Sequence, residues 1–310
     1  MKLNIVIPCF DEEEVLNETN RRLTELVDSM INEDLLTGCD ILYVDDGSND
    51  KTWSVIEELK TRSPYVHGLK LAHNVGHQNA LWAGLEQSVG KCDAVVSIDA
   101  DLQHDIYKIR DMVLSYQTGC EVVYGIRNSR ATDSRFKKRT ALTFYKLMRK
   151  MGADLIPNHA DFRLLGKNAL QALSEFPERN LFLRGMVRLL GFKEAYVYFD
   201  CNERYAGKSK YSSKKMFAFA VDGITSFSVQ PLRIITLIGL VCLGISIAEM
   251  IYVLVAYFQG HTIPGWASLL FSVWFLGGLL LFSIGVVGEY IGKIYKEVKR
   301  RPRYIIEKQI

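Results

Sequence analysis

The spacing of apolar and polar positions changes period many times along the chain. Leu3–Ile7 is a short β-rich run closed by Pro8. From Glu13 to Ile31 the apolar residues Val15, Leu16, Leu23, Leu26, Val27 and Met30 recur at helical spacing. Ile41–Val44 predicts a second strand, Lys51–Arg62 a helix, Val66–Leu71 a third strand and Gly76–Ser88 a helix. Ala94–Ile98 predicts a fourth strand, Asp105–Tyr116 a helix and Glu121–Tyr124 a fifth strand. Strands that alternate with helices of this length make βαβ units and a mostly parallel sheet, so the fold class is α/β. Beyond Tyr124 the pattern weakens. Phe136–Lys150 predicts a basic amphipathic helix, Asp161–Leu165 a short strand, Leu181–Leu190 a helix and Lys193–Tyr198 another strand.

The last third follows a different rule. Ile234–Phe258 is 25 residues with one charge, Glu249, and Trp266–Gly288 is 23 residues with none. At a rise of about 1.5 Å per residue, each spans a hydrocarbon core of about 30 Å. The linker Gln259–Gly265 is short and contains Pro264, so the pair predicts a transmembrane hairpin. Glu249 admits two readings, a polar contact with a lipid headgroup or another subunit and a protonated or helix-paired group inside an oligomer. Met216, Phe217, Phe219, Ile224 and Phe227 predict an interfacial helix that leads into the first span.

Composition matters once it is divided by segment. The 310-residue chain carries a net charge of only +3. Residues 1–202 hold 25 Lys and Arg against 29 Asp and Glu. Residues 203–233 hold 6 basic against 2 acidic, and residues 292–310 hold 7 against 2. The basic residues therefore flank the apolar hairpin, and its loop has none. The positive-inside rule puts both termini in the cytoplasm. An acidic body argues against a nucleic-acid partner. The expected organisation is an acidic globular domain at 1–202, a basic segment with a juxtamembrane helix at 203–233, two transmembrane helices within 234–291 and a basic cytoplasmic tail at 292–310. The N-terminus does not read as a signal peptide. The six cysteines show no metal-type spacing and read as small reduced apolar residues.

Ligands of parallel sheets bind at the carboxyl ends of the strands, where two acidic clusters fall. Asp99 and Asp101 flank Ala100 directly after a strand. Two such carboxylates can share a hard cation, Mg²⁺ or Mn²⁺, that also touches phosphate oxygens. They could instead cap the turn that opens the helix at Asp105, but their strand-end position and a second acidic pair at Asp45-Asp46 favour the site. Asp45-Asp46-Gly47-Ser48-Asn49-Asp50 follows the second strand. Ser48 or Asp50 can cap the helix there, while a carboxylate accepts hydrogen bonds from a base or ribose and Gly47 lets backbone approach. His73 and His77 flank the turn Asn74-Val75-Gly76 and are candidates for donor contact. His104 and His159 show no zinc-ligand arrangement and carry no assigned role.

Taken together, Ile5-Val6-Ile7-Pro8-Cys9-Phe10-Asp11-Glu12-Glu13, Asp45-Asp46-Gly47-Ser48, Asn74-Val75-Gly76 and Asp99-Ala100-Asp101-Leu102-Gln103 resemble family 2 glycosyltransferases of the GT-A type. Arg204-Tyr205-Ala206-Gly207-Lys208-Ser209-Lys210-Tyr211, followed by two apolar spans, is similar to the polyprenyl-phosphate branch, which includes dolichyl-phosphate mannose synthase and the bactoprenol glucosyltransferases. The resemblance implies a GT-A domain that makes one inverting transfer from a nucleotide sugar to a polyprenyl phosphate. UDP-glucose or UDP-N-acetylglucosamine is favoured over GDP-mannose as donor. It implies that Pro8, Phe10, Glu12, Asp45 and Asp46 hold the nucleoside, and that Asp99, Ala100, Asp101 and Gln103 serve the metal and diphosphate. It implies Arg127 near the phosphates, Asp161 as the catalytic carboxylate, and Arg204, Ser209 and Lys210 in a loop over the phosphates. Lys137, on the polar face of the helix at Phe136–Lys150, joins the lipid-phosphate candidates. Membrane lipid and a homo-oligomer, such as a tetramer, complete the expected partners.

The processive members carry Gln-x-x-Arg-Trp, whereas none of Trp53, Trp82, Trp266 and Trp274 follows an arginine here. Asp11 stands where many relatives have Asn. A nonenzymatic scaffold and a flippase subunit are the competing functions. Intact acidic motifs oppose the first, and two spans make too little wall for the second.

Overall fold

The computed structural model describes residues 1–128, 156, 159–200, 225, 229–259 and 265–310. The helix expected over 136–150, Lys137, Arg204, Ser209, Lys210, the basic stretch 208–215, the interfacial stretch 216–224 and Phe227 lie outside the described residues. So does the side chain of Glu249.

The N-terminal half builds the alternation that its apolar pattern requires. Strand β1 (Lys2–Cys9) leads to α1 (Leu16–Asn32), β2 (Gly38–Asp45), α2 (Thr52–Arg62), β3 (Val66–Leu71), α3 (His77–Ser88), β4 (Ala94–Ser97), α4 (Lys108–Gln117) and β5 (Val122–Arg127). After the undescribed stretch come β6 (His159–Gly166), α5 (Lys167–Ser174), α6 (Leu183–Leu189) and β7 (Glu194–Phe199). The long helices α7 (Gln230–Phe258) and α8 (Trp266–Lys299) and the short strand β8 (Ile306–Gln309) close the chain.

Eight strands lie in the order β7-β5-β6-β4-β1-β2-β3-β8. The block β4-β1-β2-β3 is parallel, as expected of βαβ units, and β5 pairs β7 in parallel. Strand β6 runs antiparallel to both β4 and β5, so the sheet is mixed at the flank where Asp161 enters. Period-two alternation puts Ile5, Ile7, Ile41 and Tyr43 on one face under α1, α2 and α4. Val6, Leu42 and Val44 point to the other face, under α3, α5 and α6. Two apolar layers thus hold the sheet rigid beneath its carboxyl end.

Two helices begin later than their apolar spacing suggests, for the same reason. The amides of 11–13 donate to side chains of the β2–α2 loop rather than waiting for helical partners. Asp11 N–H donates to Ser48 Oγ at 2.9 Å, Glu12 N–H to Thr52 Oγ1 at 2.9 Å and Glu13 N–H to Asp50 Oδ2 at 3.3 Å. Helix α1 therefore opens at Leu16 instead of Glu13. Likewise Asp105 Oδ1 accepts the Tyr107 amide at 3.1 Å in a turn that precedes α4. Helix α5 has no counterpart among the expected elements, and it buries Ala169, Leu170 and Leu173 against the second layer.

Helices α7 and α8 expose large apolar side chains along much of their length. Phe258 is 83% exposed and Leu281 71%. Apolar surface on this scale marks contact with a nonaqueous phase. Among the described residues one helix, Phe275–Lys299, is long and apolar enough to cross a membrane. Its 25 residues span about 37 Å. The helix continues eleven residues past the expected end at Gly288 and stops where Arg300 takes a left-handed φ of 46°.

The segment expected as a basic tail is partly a strand. β8 pairs antiparallel with β3, with Leu71 opposite Ile306 and Leu69 opposite Gln309. Gly68 and Ile310 exchange two backbone hydrogen bonds of 3.1 and 3.0 Å. A Cβ on Gly68 would fall 2.8 Å from Ile56 and 2.9 Å from Ile310, so this edge closes only over glycine. The pairing covers the unpaired edge of β3, which would otherwise be open to other strands. Cys9, Cys39, Cys92 and Cys120 are buried, in keeping with their reading as small apolar residues.

Candidate active site

The carboxyl ends of β1, β2, β4 and β5 and the amino end of the antiparallel β6 frame one cavity of ≈ 550 Å³. Pro8, Phe10, Glu12, Asp46, Asp99, Ala100, Asp101, Gln103, Arg127 and Asp161 all line it. Asn74, Gly76, His77 and Arg184 complete most of the wall. Residues far apart in sequence thus meet where an α/β sheet binds its ligands. Asp45 is set behind the wall and is fully buried.

The β2 end is committed to loop construction. Asp46 Oδ1 accepts the Val75 amide at 2.7 Å, and its Oδ2 accepts the Gly76 amide at 3.0 Å. Burial raises the Asp46 pKa, and these two amides oppose the shift. Asp45 Oδ1 accepts the Ser48 amide at 3.1 Å, while its Oδ2 is buried without a hydrogen-bond partner. Burial pushes the Asp45 carboxyl up as well. Gly47 takes a φ of 66°, and a Cβ there would lie 2.6 Å from the His73 carbonyl carbon. The approach that Gly47 permits is therefore by the chain's own 73–74 backbone. Asp11 also stands in the left-handed region at φ 50°, where Asp and Asn are both tolerated, and its Oδ1 accepts the Asn49 amide at 2.8 Å. The Asn-to-Asp difference at this position has little to alter.

The β4 end is built differently. Asp101 Oδ1 accepts the Gln103 amide at 3.1 Å, which folds the turn, and Leu102 between them is held at φ 57°. A non-glycine residue in that region stores about 1–3 kcal/mol, which the surrounding structure must offset. Asp99 faces the cavity, and its Oδ1 is buried without a hydrogen-bond partner. His77 Nε2 lies 3.6 Å from Asp99 Oδ1, and His104 Nε2 lies 3.7 Å from Asp99 Oδ2.

His104 has a more definite place than its sequence context suggests. It is buried between Phe162, stacked at 5.4 Å, and Phe199, edge-on at 5.4 Å. Arg127 Nη2 donates to its Nε2 at 3.1 Å, since a guanidinium only donates. Burial lowers the His104 pKa, Asp99 opposes the shift and Arg127 adds to it. The ring is thus a neutral prop that fixes Arg127 at the cavity wall.

Asp161 is held by two guanidiniums. Arg163 Nη2 donates to Oδ1 at 2.5 Å, and Arg184 reaches Oδ1 with Nε at 3.1 Å and Oδ2 with Nη2 at 2.9 Å. His77 Nε2 stands 3.8 Å from Oδ2. Burial alone would raise the Asp161 pKa, but the Arg184 and Arg163 charges outweigh it and hold the carboxyl well below the usual range. A carboxylate so paired is a weak proton acceptor. Arg163 is 2% exposed, so it acts from beneath, while Arg184 reaches the cavity. Sequence reading assigned no role to Arg163 or Arg184, because only the fold brings α6 beside β6.

The donor set suits a hard cation. Asp99 and Asp101 present carboxylate oxygens to one cavity, and Asp99 Oδ1 has no competing hydrogen bond. Among the described residues no three His, Cys, Asp or Glu groups form a complete metal cage. Mg²⁺-type ions commonly take one or two carboxylates and fill the remaining positions with phosphate and water.

Known proteins resemble the chain along its whole length. Glycosyl transferase family 2 matches residues 4–173, and the GtrB C-terminal hairpin matches residues 230–294. The uncharacterized glycosyltransferase YkoT of Bacillus subtilis (strain 168) is 56% identical over 306 residues, covering 98% of this chain and 91% of that protein. The SfII prophage-derived bactoprenol glucosyl transferase of Shigella flexneri is 41% identical over 313 residues, covering 99% of this chain and 98% of that protein. Among solved structures, glucosyl-3-phosphoglycerate synthase from Mycobacterium tuberculosis with Mn²⁺, uridine diphosphate and phosphoglyceric acid is similar at a TM-score of 0.47 and 17% identity, over 72% of this chain and 76% of that one. An α/β domain whose acidic strand ends converge on one cavity, joined to an apolar hairpin, belongs to glycosyl transferase family 2 and carries the C-terminal hairpin of the GtrB type.

Proposed function

We propose that the chain transfers one hexose from a nucleotide sugar to a polyprenyl phosphate at the cytoplasmic face of a membrane, with inversion at the anomeric carbon. The single observation that carries the reading is the convergence of Asp99, Asp101, Asp161, Arg127 and Arg184 on one cavity at the strand ends. UDP-glucose is the first donor to test and UDP-N-acetylglucosamine the second. The bactoprenol glucosyl transferase relative supports both the sugar and the lipid. The basic flanks and the uncharged hairpin loop support two spans with both termini cytoplasmic.

In this reading an acceptor phosphate oxygen attacks the anomeric carbon. The bond from that carbon to the diphosphate oxygen breaks, and the nucleoside diphosphate departs with the electron pair. A phosphate monoester has a second pKa near about 6, so the acceptor is already a nucleophile at neutral pH. No strong base is needed. Asp161 instead holds Arg184 at the wall, where its guanidinium meets phosphate charge. Arg127, propped by His104, does the same from β5. Asp99 and Asp101, with Gln103, would hold Mg²⁺ or Mn²⁺. When bound, that ion supplies Lewis-acid stabilisation of the leaving diphosphate. Pro8, Phe10, Glu12 and Asp46 line the part of the wall proposed for the nucleoside, with Asp45 bracing it from behind.

Purified full-length protein is incubated with undecaprenyl phosphate and, in turn, UDP-glucose, UDP-N-acetylglucosamine and GDP-mannose. The expected product is a glucosyl lipid, lost in chelator and restored by Mg²⁺ or Mn²⁺. A mannosyl lipid alone would reassign the donor. No lipid product from any donor would overturn the reading.

A further inference from the structure

A second cavity, also ≈ 550 Å³, lies on the other side of the first turn of α3. Arg179, Lys296, Lys299, Arg301 and Arg303 line it together with Tyr295, and among the described residues no acidic side chain does. The neighbouring carboxylate of Glu297 is already engaged. It accepts the Arg179 amide at 2.8 and 2.9 Å and the Asn180 amide at 2.7 Å. Arg303 is structural, stacked on Trp82 at 4.3 Å and bonded to the Phe176 and Glu178 carbonyls. Arg179 Nε is buried without a hydrogen-bond partner. Glu86, Glu178 and Glu297 lie near Arg303, yet none of them lines the cavity, so a buried donor without a partner there is open to an anion.

The surroundings specify what kind. The cavity sits at the end of the apolar helix, and Ile291, Ile294 and Val298 on that helix are 59%, 60% and 75% exposed. A ligand here can place charge among the basic groups and a hydrocarbon chain along α8. A positive-inside bias accounts for basic residues after a span, but not for their enclosure. Arg179 comes from the α5–α6 connection, and the left-handed turn at Arg300 brings Arg301 and Arg303 back towards α3.

We propose that this cavity binds the phosphate headgroup of an anionic membrane lipid, whose chain lies along α8. The proposal stands whichever sugar the neighbouring site transfers. Asn79 lines this cavity while His77 and Ala80 line the other, so a headgroup here seats the catalytic domain through α3. An anionic phospholipid and a polyprenyl phosphate share the required chemistry.

The test uses the delipidated full chain in detergent. Phosphatidylglycerol, undecaprenyl phosphate and phosphatidylcholine are titrated separately, and bound lipid is counted by native mass spectrometry. Each charge removed by Arg179→Gln and Lys296→Gln should weaken anionic lipid binding about fivefold. Arg179→Lys should retain binding, which separates lost charge from misfolding. Arg300→Gln removes the same charge beside the cavity without lining it, and should leave binding intact. If only undecaprenyl phosphate responds to the cavity variants, the seat is for that lipid. If phosphatidylglycerol responds too, it is for anionic headgroups in general. Equal loss in Arg300→Gln, no loss in Arg179→Gln with Lys296→Gln, or equally tight phosphatidylcholine would overturn the proposal.

Discussion

Two acidic strand ends stand on either side of β1 in this sheet and do different work. At the end of β2, both oxygens of Asp46 and one of Asp45 are taken by amides of adjacent loops. At the end of β4, Asp99 keeps an oxygen without a hydrogen-bond partner beside the cavity, and Asp101 turns its own loop with one oxygen. Residue type does not separate them. What separates them is whether nearby backbone N–H groups already consume the carboxylate. A carboxylate bonded to amides is architecture, and one left facing a cavity is available to a ligand.

The largest effect should fall on the β4 pair. Asp99→Asn and Asp101→Ala are expected to lower turnover about 10³-fold, the scale of several kcal/mol of lost Lewis-acid stabilisation. The melting temperature of Asp99→Asn should stay near wild type, because Asp99 holds no loop together. Turnover of the glucosyl lipid and thermal unfolding in detergent check both halves. Wild-type turnover in Asp99→Asn would erase the contrast between the two strand ends.

Asp161 belongs to neither pattern, since arginines rather than amides consume it. Asp161→Asn leaves Arg163 buried without its charge partner, which should cost about 3–5 kcal/mol of stability. It should also lower turnover, by releasing Arg184. If Asp161 acts through Arg184, the two losses are not additive. Asp161→Asn should then cost little further turnover in an Arg184→Ala background. Full additivity in turnover would show that Asp161 touches the reacting atoms directly.

Asp46→Ala comes next. Two backbone amides of the 75–76 turn lose their acceptor, at about 2 kcal/mol of stability. Because that turn also carries Asn74 and Gly76 to the cavity wall, the Michaelis constant for the donor should rise more than turnover falls. A turnover loss matching that of Asp99→Asn would place Asp46 with the ligand-facing carboxylates.

Much of this was legible from one dimension. The apolar pattern marked β3 to the residue and most of the parallel block; β1 and β4, buried on both faces, read as nearly continuous apolar runs. The motif residues of β1, β4 and β6 do meet at one cavity. What sequence could not show depended on partners distant in the chain. The late start of α1 follows from amides of 11–13 bonding across to Ser48, Asp50 and Thr52. Strand β8 has four exposed residues and is held by backbone pairing with β3, so no apolar alternation announces it. Gly47 does permit a close backbone approach, but by His73 and Asn74 rather than by a ligand. Arg184 is one arginine among many until its bidentate contact with Asp161 is seen.

The smallest effect concerns pH and a histidine beneath the Asp161 cluster. His159 is 6% exposed, its Nε2 has no hydrogen-bond partner, and Tyr124 meets it edge-on at 4.9 Å. Burial holds its pKa well below the ordinary value, the Arg163, Arg184 and Arg188 charges push the same way, and Asp161 opposes them. The unfolded chain therefore binds a proton near pH 6.5 that the folded chain refuses. Stability from this group is complete above that pH and declines as pH falls through it towards the lower folded value. One unit below, at pH 5.5, the loss is about 1.4 kcal/mol. Thermal unfolding of wild type and His159→Gln between pH 7.5 and 5.5 reads it as a difference in slope. The variant should lose less stability on acidification whatever its starting stability, and parallel slopes would show that His159 does not resist protonation. Such a result would leave Asp161, rather than its buried surroundings, as the group that sets the acid response at this strand end.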